Sequence, residues 1–205
     1  MRLILVRHGA TDWNQQRRIQ GQSDIALSEA GRKEAEAAAL ALKEKKIEAI
    51  YCSPLKRALE TAQAINRFHR LAIKIEDGLK ELDIGDLDGL MAEEIRSRYS
   101  SFWREWTSEE LARAKFPGGE SLNEAQQRAW GTIEEITRRH QHGVILAVGH
   151  YFATMTIICK ALAIDISYMR KFKPLGTGAM CILDFEDSGI TLTRYNDTCH
   201  LAGEA

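Results

Sequence analysis

A chain of 205 residues with 44% hydrophobic and 28% charged side chains has the composition of a soluble globular protein and the length of one domain, 1–205. Its 28 Lys and Arg against 29 Asp and Glu leave a net charge of −1, which argues against the basic footprint of a nucleic-acid binder. No apolar run reaches the length of a membrane span, and residues 1–6 run straight into Arg7 and His8 with no cleavage-site pattern, so neither a membrane partner nor a signal peptide is expected.

The first predicted element is a strand over Leu3–Val6, a short continuous apolar run of the kind buried on both faces of a parallel sheet. An Ala-rich helix follows over Ser28–Lys45, with a serine in front as its cap. Ala49–Tyr51 is a weaker strand. Pro54–Arg67 reads as a helix, with Ser53 as N-cap and Pro54 at the first helical position. The polar, helical stretch from about Met91 to Gly119 breaks the alternation and is expected as an insertion over one end of the sheet. Its Tyr99, Phe102, Trp103, Trp106 and Phe116 are read as the insertion's own core, with any remainder lining a leaving-group pocket.

Ser121 and Glu124 have the spacing of a capping box at the head of a helix over Ser121–His140. Leu122, Ala125, Ala129, Ile133 and Ile136 then step by three and four, giving that helix one buried stripe. Val144–Val148 is the strongest strand, and Tyr151–Ala163 is apolar nearly all round, as a buried helix should be. Ala179–Phe185 and Ile190–Tyr195 flank the turn Glu186–Gly189 and read as a hairpin. The order predicts an α/β fold, a mainly parallel central sheet flanked by helices. Cys52, Cys159, Cys181 and Cys199 form no C-x-x-C pair, so reduced thiols in a cytoplasmic protein are expected.

Chemistry-bearing residues follow each predicted strand. Arg7-His8-Gly9 comes after the first, Ser53-Pro54 and then Arg57 after the second, and Gly149-His150 after the strongest. Ligands of open α/β sheets bind beyond the carboxyl ends of strands, so two histidines and two arginines should converge there. Guanidinium forks and a nearby helix N-terminus suit a small dianion, most simply a phosphoryl group. A neutral imidazole among them is a competent nucleophile near pH 7, with the arginines holding its pKa down. A leaving oxygen also needs a proton, and Glu81, Asp83, Asp86 and Asp88 stand together in a Gly-rich loop that can supply a general acid. Arg7, Arg57 and His150 can supply the positive charge, so no metal is expected.

Arg7-His8-Gly9-Ala10-Thr11-Asp12-Trp13-Asn14 resembles the R-H-G signature of the histidine phosphatase superfamily, also called the phosphoglycerate mutase-like family. Further blocks appear in the family's order: Gln20-Gly21 with Asp24, Leu27-Ser28 and Gly31; Ser53-Pro54-Leu55-Lys56-Arg57-Ala58; Glu81-Leu82; Pro117–Ser121; and Val148-Gly149-His150. The resemblance implies a three-layer sandwich in which His8 is the nucleophile and forms a phosphohistidine. It further implies that Arg7, Arg57 and His150 bind the phosphoryl group, that Asn14 contacts a phosphate oxygen, and that Gln20 and Gly21 lie on a substrate-contact loop. Glu81, by the same resemblance, protonates the leaving group and then activates water. No cofactor or metal is implied, and the partner is a small phosphorylated metabolite.

Within the family, Glu81-Leu82-Asp83-Ile84-Gly85 looks like the phosphatase branch, because the mutases carry a Tyr before that Gly. The short stretch after His150 also favours hydrolysis over shielding of a phosphohistidine. The chain resembles the bacterial broad-specificity and α-ribazole phosphatases, and a phosphoglycerate mutase-type phosphotransferase and a non-catalytic phosphate-binding module are the alternatives. Asn14 also has a plain reading as a turn cap. His69, His140 and His142 are read as surface residues and His200 as a packing residue.

Overall fold

The computed structural model describes residues 1–202. β1 (Arg2–Arg7) is followed by α1 (Asp12–Gln15), a single turn, and by α2 (Glu29–Leu42). Next come β2 (Ile47–Cys52), α3 (Lys56–Asn66) and β3 (Ile73–Ile75). The stretch expected as an insertion holds α4 (Ala92–Arg98) and α5 (Ser100–Trp106). α6 (Leu122–Arg139), β4 (Val144–Gly149) and α7 (Tyr151–Ala161) follow, and β5 (Met180–Glu186) and β6 (Gly189–Asp197) form the expected hairpin.

The strands form one sheet in the order β3-β2-β4-β1-β5-β6. β3, β2, β4 and β1 run parallel, whereas β5 is antiparallel to β1 and β6 to β5. Successive side chains of a strand face opposite ways. Ile4 and Val6 of β1 therefore pack with Ala38 and Ala39 of α2 and with Ala58 and Ala62 of α3. Leu3 and Leu5 pack with Ile133 and Ile136 of α6 and with Ile157 and Ile158 of α7 on the other face. Cover on both faces makes three layers, and it is why β1 and β4 are apolar throughout instead of alternating.

The helices start where their caps allow. Ser28 accepts from the Gly31 N–H at the head of α2, and α6 opens on the reciprocal Ser121–Glu124 capping box. The α6 stripe Leu122, Ala125, Ala129, Ile133 and Ile136 is buried as its spacing predicts. Two expectations need correction. α3 begins at Lys56, not Pro54, and its N-cap is Leu55, with no side-chain cap. The Ser53 hydroxyl instead serves the Leu55 N–H and His150. β3 was not anticipated, because Ile73–Ile75 is short, pairs on one side only and leaves Ile75 exposed. Among the described residues no helix is long and apolar enough to cross a membrane.

β1 and β4 are neighbours, but the chain leaves them in opposite directions. β1 leads toward α2 on one face and β4 toward α7 on the other. Such a divergence opens a crevice at the carboxyl ends of the two strands.

Candidate active site

His8 follows β1 directly and is held from both sides by backbone. Its N–H donates to the Gly149 carbonyl at 3.0 Å, and its own carbonyl accepts from the Gly178 N–H at 3.0 Å. The side chain is 3% exposed. Nδ1 lies 2.7 Å from the Gly9 carbonyl. A carbonyl can only accept, so Nδ1 carries the ring proton and Nε2 keeps its lone pair. That lone pair faces the Arg57 Nε–H at 3.2 Å. Burial, then the charges of Arg57 and Arg7, holds the His8 pKa well below the ordinary 6.5, so the ring is neutral.

The turn after His8 depends on two glycines. A Cβ on Gly9 would lie 2.2 Å from the Gly31 carbonyl oxygen, and one on Gly31 would lie 1.9 Å from that of Ala10. The His8 loop and the first turn of α2 thus meet backbone to backbone. Glu34 fixes the same loop by accepting from the Ala10 N–H at 2.8 Å and the Thr177 hydroxyl at 3.0 Å. Thr61 of α3 accepts from the Gly9 N–H at 3.2 Å.

Arg57 has no exposed surface. It donates from Nη1 to the Ser23 carbonyl at 2.7 Å and from Nη2 to the Gly21 carbonyl at 2.6 Å. Asp88 holds that loop from behind, accepting from the Gly21 and Ser23 N–H groups at 2.9 and 2.8 Å. The guanidinium is therefore aimed by a loop that a carboxylate clamps. Burial pulls the Arg57 pKa down to about 10, still charged near neutrality. Arg7 donates from Nη1 to the Leu175 carbonyl at 2.6 Å and lies 5.6 Å from the Tyr151 ring centroid.

His150 is the N-cap residue of α7 and is fully buried. Its ring centroid is 5.1 Å from that of His8, and its Nε2 is 2.7 Å from the Ser53 Oγ. Burial, with Arg57, His8 and Arg7 nearby, holds its pKa well below 6.5. Glu81 lies over the first turn of the same helix. Oε1 accepts from the Leu82, Phe152 and Ala153 N–H groups at 2.9, 3.0 and 3.2 Å, and Oε2 from Phe152 at 3.2 Å. Burial pushes this carboxyl above its ordinary pKa, and the N–H groups and the two arginines pull against it without prevailing.

Four buried side-chain nitrogens lack a hydrogen-bond partner among the described residues: Arg7 Nε, Gln20 Nε2, His150 Nδ1 and His69 Nε2. The first three belong to residues gathered at the crevice. Buried polar atoms without partners are costly, so two donors, Arg7 Nε and Gln20 Nε2, with the unpartnered His150 Nδ1 around one imidazole mark a place for a ligand of opposite charge. A cavity of about 360 Å³ opens there, lined among others by Arg7, His8, Asn14, Arg18, Gln20, Glu81, Tyr151, Phe152 and Leu175, with Arg57 and His150 buried and not in its lining.

The structure brings His8, Arg7, Arg57, His150 and Glu81 together. Asn14 lines the same cavity, yet its Oδ1 also accepts from the Thr11 N–H and hydroxyl at 3.0 Å, closing the capping box of α1. Gln20 Oε1 lies 2.8 Å from the Thr11 hydroxyl, whose single proton it shares with Asn14 Oδ1, and its buried amide nitrogen has no partner among the described residues. Gly21 does not line the cavity; its carbonyl serves Arg57. The other carboxylates of the Glu81 loop have separate tasks or face water. Asp83 accepts from the Gly85 N–H, Asp86 is exposed and Asp88 clamps the 21–23 loop.

Sequence reasoning missed Ser53 as a partner of His150, Asp88 and Glu34 as loop clamps, and Arg18, Tyr151, Phe152 and Leu175 as cavity residues. None of the aromatics over 99–116 lines the cavity. Trp106 instead packs edge-on behind Phe152, with centroids 5.9 Å apart, and against Phe102 and Phe116. His142 is exposed, as read. His140 is half-buried with Nε2 2.9 Å from the Tyr51 hydroxyl, and His69 is half-buried too, so neither is a plain surface residue. His200 packs against the Gly178 carbonyl at 3.1 Å, behind the loop that holds His8. Among the described residues no group of three or more His, Cys, Asp or Glu is placed to hold a metal ion.

The fold is a three-layer α/β sandwich with a polar crevice at the switch point of its sheet. The chain belongs to the histidine phosphatase superfamily (branch 1), whose family profile matches residues 3–198. It is 35% identical over 203 residues to phosphoserine phosphatase 1 of Hydrogenobacter thermophilus, covering 98% of this chain and 94% of that one. It is 32% identical over 207 residues to a metal-independent phosphoserine phosphatase of Arabidopsis thaliana, covering 98% and 83%. Among solved structures it superposes on Bacillus stearothermophilus YhfR with a TM-score of 0.89 and 27% identity, covering 98% of both chains.

Proposed function

We propose that this chain is a phosphomonoester hydrolase that passes the phosphoryl group of a small metabolite through His8 to water. The observation that carries this is the pair of orphaned buried donors, Arg7 Nε and Gln20 Nε2, with the unpartnered His150 Nδ1 in the same crevice, beside an imidazole whose Nε2 lone pair is free of its own proton. The donors match the oxygens of a phosphoryl group, and Arg57 adds charge from the fully buried side. Positive charge thus comes from side chains, which makes a metal unnecessary for the reaction drawn here.

In the first step the Nε2 lone pair of His8 attacks phosphorus. The bond from phosphorus to the ester oxygen breaks, and that oxygen takes the proton held by Glu81. In the second step the Glu81 carboxylate takes a proton from water, the hydroxide attacks the phosphohistidine, and the P–N bond returns its electron pair to Nε2. Arg7, Arg57 and His150 hold the equatorial oxygens throughout, with Asn14 and Gln20 at the edge. Transfer of this kind is mostly positioning and charge stabilisation. Glu81 suits both steps because burial raises its pKa toward the working range.

A cavity of about 360 Å³ suits a small substrate. Arg18, tied to the Gly89 carbonyl at 2.7 Å, adds a positive charge to the cavity lining that can meet a substrate carboxylate. Phosphoserine, named for two relatives, is therefore the first substrate to try. The buried free thiols of Cys52, Cys159 and Cys181 fit a reducing compartment, and we place the protein in the cytoplasm with neither nucleic acid nor membrane as partner.

The test is hydrolysis of p-nitrophenyl phosphate and phosphoserine in the presence of EDTA. Turnover should persist, and His8→Ala should lose about a thousandfold or more in kcat together with all acid-labile phosphoenzyme. A strict metal requirement, or full activity in His8→Ala, would overturn the proposal. Transfer to 3-phosphoglycerate in place of water would move the chain to the mutase class.

A further inference from the structure

Ser53 is not one of the groups that meet phosphate in the reaction above, yet it is fully buried and touches the site's second imidazole. Its hydroxyl oxygen accepts from the Leu55 N–H at 3.3 Å and lies 2.7 Å from His150 Nε2. We infer that Ser53 is a positioning residue that donates its hydroxyl proton to His150 Nε2 and thereby fixes the ring proton on Nδ1, where it points to a phosphoryl oxygen.

The inference follows from counting protons. A serine hydroxyl has one proton to give and two lone pairs. Leu55 uses one lone pair. Among the described residues, His150 Nε2 is the one acceptor within reach of the proton. In the opposite tautomer Nε2–H would donate to Ser53, leaving the hydroxyl proton buried with no acceptor. It would also leave the orphaned Nδ1 with a lone pair in place of an N–H, the wrong sign for an oxyanion held beside the His8 ring. Nδ1 is the orphaned buried nitrogen of this ring, so its protonation state decides whether the site attracts or repels an oxygen. Because burial and the surrounding cations keep His150 neutral, the ring carries a single proton and its placement matters.

The two histidines then work as a complementary pair. Both carry the proton on Nδ1, but they are anchored at opposite nitrogens. His8 is anchored through Nδ1 to a carbonyl and presents a lone pair, as a nucleophile must. His150 is anchored through Nε2 to a hydroxyl and presents an N–H, as an oxyanion donor must. The anchoring partner, an acceptor in one case and a donor in the other, assigns the role.

Side-chain ¹⁵N spectra of the full chain read the tautomer directly, with the His150 signals identified by their loss in His150→Asn. A pyrrole-type Nδ1 and a pyridine-type Nε2 at neutral pH are expected, and a pyridine-type Nδ1 would overturn the assignment. Ser53→Ala should scramble the tautomer and weaken vanadate binding about tenfold, the worth of one such hydrogen bond, and Ser53→Thr, which keeps the hydroxyl, should restore both. A folded Ser53→Ala that binds vanadate as tightly as the native protein would refute the role. Should Ser53→Ala not fold, the native spectrum alone decides. The role of His150 N–H toward phosphate rests on the proposed reaction, but the tautomer does not. The expected spectrum in a protein with no phosphatase activity would sink the reaction and leave the Ser53 assignment standing.

Discussion

Glu81 accepts N–H groups from the first turn of α7 on one side and faces the His8 cavity on the other. Its Oε1 is crowded by three donors, so the less engaged Oε2 is the atom to carry a transferable proton. Glu81→Gln should therefore lower kcat/KM by about a hundredfold to ten-thousandfold on alkyl phosphomonoesters such as phosphoserine, and by about tenfold or less on p-nitrophenyl phosphate, whose leaving group needs no proton. The acid form is required in the first step, so activity on alkyl esters should decline as pH rises through the raised carboxyl pKa. That alkaline decline should be missing from the residual activity of Glu81→Gln on the same alkyl esters. Equal losses on both substrates would point to another acid. At this scale the sequence exposes residues whose type and block are both distinctive, such as His8, Arg57 and His150. It hides Ser53, Asp88 and Glu34, because a carboxylate clamping backbone N–H groups or a hydroxyl under an imidazole has no spacing of its own and looks like any solvated polar residue.

The α2–β1 junction and the middle of α6 make a contrast at the level of elements. Gly31 meets backbone on the His8 loop, whereas Gly131 is exposed in α6 with nothing within 4 Å of a Cβ built on it. Gly31→Ala should destabilise by about 1–3 kcal/mol and reduce turnover as well, since the Ala10 carbonyl must move. Gly131→Ala should stabilise by about 0.4–1 kcal/mol with activity intact, because alanine is the better helix former and costs less chain entropy. Thermal melts and kcat on both variants check the pair, and a neutral Gly31→Ala would contradict the close approach described here. The strands that could be read in advance are β1 and β4, buried on both faces and apolar throughout. β3 could not, for it has three residues with Lys74 in the middle and only one partner strand. The start of α3 was misplaced for a different reason. Ser53 and Pro54 are good helix openers by type, but tertiary contact with His150 claims the serine first.

For the molecule as a whole, a site built to receive an anion leaves two neutral histidines inside the folded state. Their pKa values lie well below 6.5, so the unfolded chain binds protons that the native chain does not as pH falls. Their contribution to stability is then fully present above about pH 6.5 and is lost progressively below it. Urea unfolding at pH 7.5 and 5.5 should show a lower midpoint at 5.5, and His150→Gln should flatten that difference. A midpoint that does not move between the two pH values would show that these rings are not held neutral.

The place of β1 in the sheet has a consequence for biosynthesis. Its two neighbours are β4 and β5, which begin only at Val144 and Met180. β1 must therefore wait, apolar and unpaired, until β4 and then β5 have been made. Chaperone demand during translation should be set by Leu3–Val6, long before any chemistry at His8 is possible.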